Sequence, residues 1–337
     1  MDTPQKLLDG TATIVVKIGS SILIDESGAP RLTWMKQLAA RLARRGGPVV
    51  LVSSGAIALG RLALGISGRP AKLAEAQAAA AVGQIRLAQL WSEVWTANDR
   101  ITAQVLLTLG DLEVRGRYLN ARNTLETLLE RGVIPVVNEN DTVATGEIRF
   151  GDNDRLAARV AQLVGARLLV LLSDIDGLYD ADPRLVESAR LIADVDSIDA
   201  DIEALAGPAQ ATGFGTGGMA SKLAAADIAT TAGCPVLLTS GHGDQDPIER
   251  YLQSARGTLF HAAEKPPMRR KQWLRSLQQH EGTLELDAGA VAALRQGASL
   301  LAAGVTGVRG QFQRGALVAL QAPDGICGQG LCGYDAE

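Results

Sequence analysis

The stretch ATIVVKIGSS, residues 12–21, shows the pattern that organises much of this chain. It is an apolar run that ends in small polar residues, without alternation between apolar and polar side chains. Such a run is typical of a strand buried on both faces of a mostly parallel sheet. Five further runs of this kind, most of them apolar throughout, occur at 48–52, 101–107, 133–137, 168–172 and 235–239.

Helix-like stretches separate these runs, and they cover 31–45, 71–99, 117–131, 153–166 and 217–232. Repeated strand–helix alternation predicts a three-layer α/β/α sandwich with a mostly parallel central sheet. In such folds ligands bind beyond the carboxyl ends of the strands. The residues that follow each strand are therefore the candidates for chemistry.

The character of the sequence changes near residues 264–276, where two prolines precede a basic cluster. Beyond it, short β-like pieces are separated by glycines, which predicts a small β-rich module. We therefore expect a first domain over 1–263, a linker over 264–276 and the module over 277–337.

Composition limits the classes of function. The chain has 337 residues and a formal net charge of −4, so there is no global attraction to nucleic acid or membranes. No apolar run reaches the ~18 residues that cross a bilayer, and the N-terminal residues lack a signal pattern. The three cysteines form no CxxC pair and no histidine cluster accompanies them, so we expect no structural zinc and a reducing cytoplasm.

Lys17 interrupts the first apolar strand and is followed by Gly19-Ser20-Ser21. A buried, unpaired ammonium group is unfavourable, so this lysine either reaches water or meets an anion. An edge-strand lysine and a functional lysine look alike at this stage. Ser53-Ser54-Gly55 similarly follows the strand at 48–52, although a Ser-Gly turn after a strand is common.

Two clusters rich in Asp and Asn lie close together in the sequence. Asn138-Glu139-Asn140-Asp141 follows the strand at 133–137, and Asp152-Asn153-Asp154 stands at the head of a helix. Carboxylates could bind the ammonium group of an amino acid, while amides and helix N–H groups could bind its carboxylate. A turn, a helix N-cap and a cation site are the alternatives.

Two further stretches have the character of nucleotide-binding segments. Ser173 and Asp174 follow the buried strand at 168–172, and the spacing of the next glycine does not fit a calcium loop. The run GFGTGGMASK, residues 213–222, opens an alanine-rich helix but matches neither a P-loop nor a protein-kinase glycine loop. Glycine N–H groups at a helix N-terminus can bind a polyphosphate, and Lys222 lies about one turn into the helix. A flexible hinge is the alternative.

Taken together, these segments resemble the amino acid kinase family, and most closely its branch that phosphorylates L-glutamate. The matching segments are VVKIGSSIL, VSSGAIALG, YLNARNTLETLL, IPVVNENDTV, FGDNDRLAA, LLSDIDGLYDADPR and GTGGMASKLAAADIA, in family order over roughly residues 12–260. Residues 276–337 resemble a PUA module and stop earlier than such modules usually do, so we expect it to be incomplete.

The resemblance implies transfer of phosphate from ATP to the γ-carboxylate of L-glutamate, the first step of proline biosynthesis. It implies that Lys17 and Lys222 stabilise the transferred phosphoryl group and that Asp154 holds both lysines. The implied glutamate-binding residues are Ser54, Asp141, Asn153 and Asp152. The implied ATP-binding residues are Lys17, Ser173, Asp174, Thr216, Gly217, Gly218, Met219, Ala220, Ser221 and Lys222.

Mg²⁺ is expected to bridge the β- and γ-phosphates, with no protein ligand assigned to it. The family also implies a homo-dimer or homo-tetramer and feedback inhibition by proline. Two alternatives stay open. One is a kinase of the same fold that acts on acetylglutamate, aspartate, carbamate or UMP. The other is an RNA-binding protein that uses the PUA-like module and the basic residues 269–275.

Overall fold

A computed structural model of the chain describes residues 3–25, 27–66, 68, 70, 72–143, 152–206, 218–263, 280–295, 297–314 and 316–336. The chain divides into two compact units, Met1–Pro266 and Pro267–Glu337. The linker predicted at 264–276 lies outside the described residues, so its limits stay a prediction.

The described residues of the first unit form one large sheet and a small ribbon. The strands are β1 Ile14–Ile18, β2 Val49–Ser53, β3 Thr102–Leu107, β4 Ile134–Glu139, β5 Leu168–Ser173, β6 Leu178–Tyr179, β7 Leu191–Ile192, β8 Asp194–Val195, β9 Val236–Ser240 and β10 Thr258–Phe260. The eight-stranded sheet has the order β3-β4-β2-β1-β5-β9-β10-β8, and β6 pairs with β7. Within the large sheet, β9 and β10 are antiparallel and the other described pairs are parallel.

Helices cover both faces of this sheet. They are α1 Pro4–Asp9, α2 Ser20–Leu23, α3 Leu32–Arg44, α4 Ala56–Ala63, α5 Leu73–Thr96, α6 Leu109–Glu113, α7 Arg115–Glu130, α8 Asp152–Val164, α9 Ala200–Ala204, α10 Met219–Thr231 and α11 Pro247–Ser254. Alternate residues of β1 enter different cores: Val16 packs in the cluster that contains side chains of α3 and α5, and Val15 in the one that contains side chains of α8 and α10. The predicted three-layer α/β/α sandwich is confirmed.

The six strands predicted from the sequence all form, with ends that shift by one or two residues. β3 differs in character, because it is the outermost strand on its side of the sheet and most of its residues are partly exposed. The helix predicted over 71–99 is α5. The sequence did not predict α4, because its glycine, Gly60, weakens the helix pattern.

Gly60 and Gly83 instead allow α4 and α5 to touch. A Cβ atom on Gly83 would lie 1.8 Å from the carbonyl oxygen of Ala56, and one on Gly60 would lie 1.7 Å from that of Ala79. Gly55, at φ 113°, starts α4 directly after Ser54. This backbone contact therefore connects the end of β2 to α5.

The second unit is a small β-rich module, as predicted. Its described elements are β11 Gly282–Leu286, α12 Ala288–Arg295, a 3₁₀ turn at Ala302–Gly304, β12 Val305–Arg309, β13 Leu317–Ala322 and β14 Gly325–Leu331. The strands form a sheet of order β12-β11-β13-β14. Leu284, Val291 and Val318 belong to its own apolar core.

Among the described residues, no helix is both long and apolar enough to cross a membrane.

Candidate active site

The carboxyl ends of four central strands meet at one edge of the large sheet. Because β4, β2, β1 and β5 are parallel neighbours, the residues that follow them lie side by side. Lys17 is in register with Val52 on one side and Leu171 on the other. The backbone N–H of Ser54 donates to the carbonyl of Ile18 at 3.1 Å, which aligns the two strand ends.

Lys17, Asp154 and Lys222 form a buried charge cluster at this edge. The Lys17 Nζ lies 2.5 Å from Asp154 Oδ1, and the Lys222 Nζ lies 3.6 Å from Asp154 Oδ2. Relative exposure is 7% for Lys17, 0% for Asp154 and 4% for Lys222. β1 is the fourth strand of eight, so the reading of Lys17 as an edge-strand lysine is wrong.

The two helices that carry the other charges explain how residues so far apart in the chain meet. Asp154 is the third residue of α8, where the helix dipole favours a carboxylate. Lys222 is the fourth residue of α10, and α8 packs against α10. Ser221 also donates a hydrogen bond to Asp154 Oδ2 at 3.2 Å.

Two ammonium groups surround one carboxylate, so the cluster has a net charge of +1. Burial by itself raises the pKa of Asp154, but the charges of Lys17 and Lys222 and hydrogen bonds from Lys17 and Ser221 outweigh it and hold that pKa below its ordinary value. Asp154 therefore stays ionised. The excess positive charge makes the cluster suited to an anion.

A network of amides lies beside the charge cluster. The Asn153 Nδ2 donates to Ser54 Oγ at 3.0 Å and to Asn138 Oδ1 at 3.1 Å. Ser54 and Asn153 are half-buried, and Asn138 is 1% exposed. Three of the predicted site residues, Ser54, Asn153 and Asp154, thus come together at one place.

Asp141 and Asp152 are the two carboxylates among the predicted glutamate-binding residues. Asp141 is half-buried and lies two residues beyond the end of β4. Asp152 is the first residue of α8, and its side chain is outside the described part of the structure.

The predicted nucleotide residues lie at the ends of β5 and at the start of α10. Ser173 is the last residue of β5 and is 5% exposed, and its Oγ donates to Asp174 Oδ1 at 2.9 Å. Asp174 is exposed. Gly218 precedes α10, and Met219, Ala220, Ser221 and Lys222 form its first turn, in which the N–H groups of Ser221 and Lys222 donate to the Gly218 carbonyl at 3.1 and 3.4 Å. Thr216 and Gly217 lie outside the described residues.

Gln84 is a component of the network that the sequence did not single out. It lies on α5, is 8% exposed, and its Oε1 accepts from Asn138 Nδ2 at 2.7 Å. In the sequence, Gln84 is marked only by its place next to Gly83 in an alanine-rich helix, which does not indicate its partner. Asn138 is likewise one of four adjacent polar residues, Asn138 to Asp141, and nothing in the sequence separates it from the others.

A model of the amino acid kinase family matches residues 12–240, and a model of the PUA domain matches residues 282–337. This chain belongs to the amino acid kinase family. As an amino acid kinase it is 53% identical to glutamate 5-kinase of Bradyrhizobium diazoefficiens over 96% of this chain and 88% of the relative. It is 52% identical to glutamate 5-kinase of Paramagnetospirillum magneticum, with the same shares covered.

Solved structures share the fold of this amino acid kinase at low sequence identity. Carbamate kinase from Giardia lamblia bound to AMP-PNP superposes with a TM-score of 0.54 at 15% identity, over 76% of this chain and 100% of that one. An isopentenyl phosphate kinase substrate complex gives 0.52 at 18% identity, over 74% and 100%. These two likenesses support the fold alone.

Proposed function

We propose that this chain transfers the γ-phosphoryl group of ATP to the γ-carboxylate of L-glutamate, giving L-glutamate 5-phosphate for proline biosynthesis. The observation that carries the proposal is the buried Lys17–Asp154–Lys222 cluster next to the Ser54–Asn153 amide network. Relatives that match nearly the whole chain at more than 50% identity are named glutamate 5-kinase. This favours glutamate over acetylglutamate, aspartate, carbamate or UMP as the acceptor.

The chemistry of the acceptor explains what the residues have to do. A carboxylate is ionised at neutral pH, so it attacks phosphorus without a general base. The remaining demands are alignment and neutralisation of charge on the equatorial oxygens. Lys17 and Lys222 would supply that charge from two sides, and Asp154 would keep both ammonium groups in place before ATP arrives.

The two substrates would approach the lysines from different strand ends. Ser54, Asp141, Asn153 and Asp152 would bind glutamate near the ends of β2 and β4. Ser173, Asp174 and the run from Thr216 to Lys222 would bind ATP near the end of β5 and the start of α10. This division leaves the charge cluster between acceptor and donor, as an in-line transfer requires.

We further propose that Mg²⁺ accompanies ATP. The exposed carboxylate of Asp174, beside the Ser173 hydroxyl, is an oxygen donor of the kind that Mg²⁺ accepts. When bound, the ion would neutralise part of the charge on the β- and γ-phosphates. Its other positions would be filled by phosphate oxygens and water.

An ATP-dependent hydroxamate assay tests the acceptor. Hydroxylamine traps an acyl phosphate, so we expect a strong signal with L-glutamate and little or none with aspartate. N-acetylglutamate, carbamate and UMP are compared in parallel by ADP release. If folded protein gives no ATP-dependent signal with glutamate, the proposal is wrong.

A homo-oligomer is also proposed, and the surface around α5 and β3 supports it. Val82, Ile85, Ile101 and Leu106 are exposed there by 39%, 66%, 72% and 38%. Two of these side chains lie on α5 and two in or directly before β3, which packs against α5, and exposed apolar surface of this kind is typical of protein–protein contacts. Light scattering of the purified chain would give the number of copies.

Feedback inhibition by proline and a cytoplasmic location are the remaining proposals. Proline carries the α-carboxylate and α-ammonium groups that a glutamate site recognises, so it would compete there. The three cysteines are free, which suits a reducing compartment. RNA binding by the second unit stays the alternative role for that unit, and salt-sensitive retention of RNA would reveal it.

A further inference from the structure

The Asn138 amide is held on both arms, by the backbone N–H of Glu139 at Oδ1 and by the Gln84 side chain at Nδ2. The backbone N–H of Glu139 points at the Asn138 side chain with an N···O distance of 2.9 Å. A backbone N–H can only donate, so the side-chain atom that receives it is the oxygen Oδ1. The other arm of the Asn138 amide is then Nδ2, which is a donor.

Once the oxygen and nitrogen of the Asn138 amide are assigned, the hydrogen-bonding atoms of Gln84 and Asn153 are assigned as well. The Gln84 atom that lies 2.7 Å from Asn138 Nδ2 must accept, so it is Oε1. The Asn153 atom that lies 3.1 Å from Asn138 Oδ1 must donate, so it is Nδ2, and it also reaches Ser54 Oγ. The Asn153 oxygen Oδ1 remains as an acceptor, and it is buried without a hydrogen-bond partner among the described residues.

We propose that Gln84 is a positioning residue for substrate recognition: together with the Glu139 N–H it holds the Asn138 amide at a fixed angle, and Asn138 in turn makes Asn153 present its carbonyl oxygen to the α-ammonium group of glutamate. The inference rests on the proposed function and deepens it. A buried acceptor without a partner is unfavourable, and an ammonium group supplies the missing donor. A flipped Asn153 amide would offer NH₂ instead and would disfavour the cation.

Gln84 is the terminal amide of the network that runs from Ser54 and Asn153 through Asn138. It is 8% exposed, and it lies 54 positions before Asn138 in sequence. Without its Oε1, the Asn138 Nδ2 would lose its partner, and the Asn138 amide would be held by the Glu139 N–H at one arm alone. Its angle would then vary, and the Asn138 Oδ1 would no longer fix the Asn153 Nδ2 in one place.

The test compares L-glutamate with glutarate, which has both carboxylates but lacks the α-ammonium group. Gln84→Met keeps the length of the side chain and removes the acceptor. We expect the preference for glutamate over glutarate in kcat/KM to fall about tenfold, as for loss of one buried hydrogen bond. The change should be in KM for glutamate, with KM for ATP unaltered. Gln89→Met, at an exposed position of the same helix, is the matched control.

Gln84→Glu provides the second arm, because a carboxylate still accepts from Asn138 Nδ2. We expect it to keep the preference of the wild type, and it decides the question even when Gln84→Met does not fold. A Gln84→Met enzyme that keeps the preference, or that loses activity on both acceptors equally, overturns the positioning role. Loss of the preference in Gln84→Glu does so too. If the wild type forms no acyl phosphate from glutamate, the proposed function fails first.

Discussion

Lys17 and Lys222 give the candidate site an excess of positive charge before a substrate binds. Both are buried beside the Asp154 carboxylate, and these three groups together carry one positive charge in excess. A buried excess charge reduces stability, because desolvation is compensated only in part. A triphosphate that binds here would compensate the excess positive charge of the cluster, so this compensation would contribute to ATP binding.

Removal of Lys222 tests its role in the transition state. Lys222→Ala should lower kcat by about 10²–10³-fold, as for loss of a group that contacts developing charge. KM for ATP should change much less, because in the proposed ATP site the segment that leads into α10 would still bind the phosphates. Lys17→Ala should behave in the same way.

Steady-state kinetics with glutamate and ATP provide the measurement. Lys36→Ala, at an exposed position of α3, is the control and should match the wild type. Near-normal turnover of Lys222→Ala would contradict the role, and so would an effect of Lys17→Ala confined to KM.

The sequence predicted the charged residues better than the amides that orient the acceptor. Lys17 was noticeable because it interrupts an apolar strand, but whether that strand was central or at an edge depends on pairings with β2 and β5. The contact of Gln84 with Asn138 depends on how α5 lies over the sheet. Neither position carries a periodic pattern that indicates such a partner.

At the scale of elements, the α4–α5 contact supports one wall of the site. α4 begins at Ala56, two residues after Ser54, and α5 carries Gln84, the neighbour of Gly83. Because the helices touch through backbone atoms at Gly60 and Gly83, their spacing leaves no room for a side chain. The positions of Ser54 and Gln84 are therefore linked by a rigid contact.

Gly83→Ala should force the two helices apart. The added Cβ meets the Ala56 carbonyl oxygen, so we expect a loss of about 3 kcal/mol in the free energy of unfolding. KM for glutamate should rise in the protein that remains folded. Gly116→Ala on α7, where a Cβ meets nothing within 4 Å, is the control and should be neutral or slightly stabilising. Urea unfolding of both variants measures the difference, and equal stabilities would contradict the contact.

The elements show where pattern reading succeeds and where it fails. Buried strands such as β2 and β5 are continuous apolar runs that end in a serine, so local sequence is sufficient. α4 was missed because Gly60 lowers helix propensity while serving a tertiary contact. The two-residue strands β6, β7 and β8 are too short for any period to appear.

At the scale of the whole molecule, each unit has its own apolar core. The side chains that surround Val318 come from the second unit, and those of the candidate site come from the first. Such separation predicts that damage to the second core leaves phosphoryl transfer intact.

Val318→Asp tests this independence. A carboxylate at a 1% exposed position should unfold the second unit, because a buried charge without a partner is strongly unfavourable. We expect rapid proteolysis of that unit and near wild-type formation of glutamyl phosphate. Val308→Asp, at a 47% exposed position of the same sheet, is the control and should resist proteolysis. Parallel loss of kinase activity with Val318→Asp would show that the units are not independent.

The position of β1 also has a consequence during synthesis of the chain. Ile14 pairs with Leu168 of β5, which is synthesised 154 residues later. One hydrogen-bonding edge of β1 therefore has no partner until β5 has been made. At about 5–20 residues per second, a ribosome needs roughly 8–30 s to deliver it. During that time an apolar strand has an open hydrogen-bonding edge, which invites pairing with other nascent chains. Among the described strand pairs of the large sheet, β1 and β5 are the furthest apart in sequence, so we expect correct folding of the strand that carries Lys17 to benefit from chaperones that bind nascent chains.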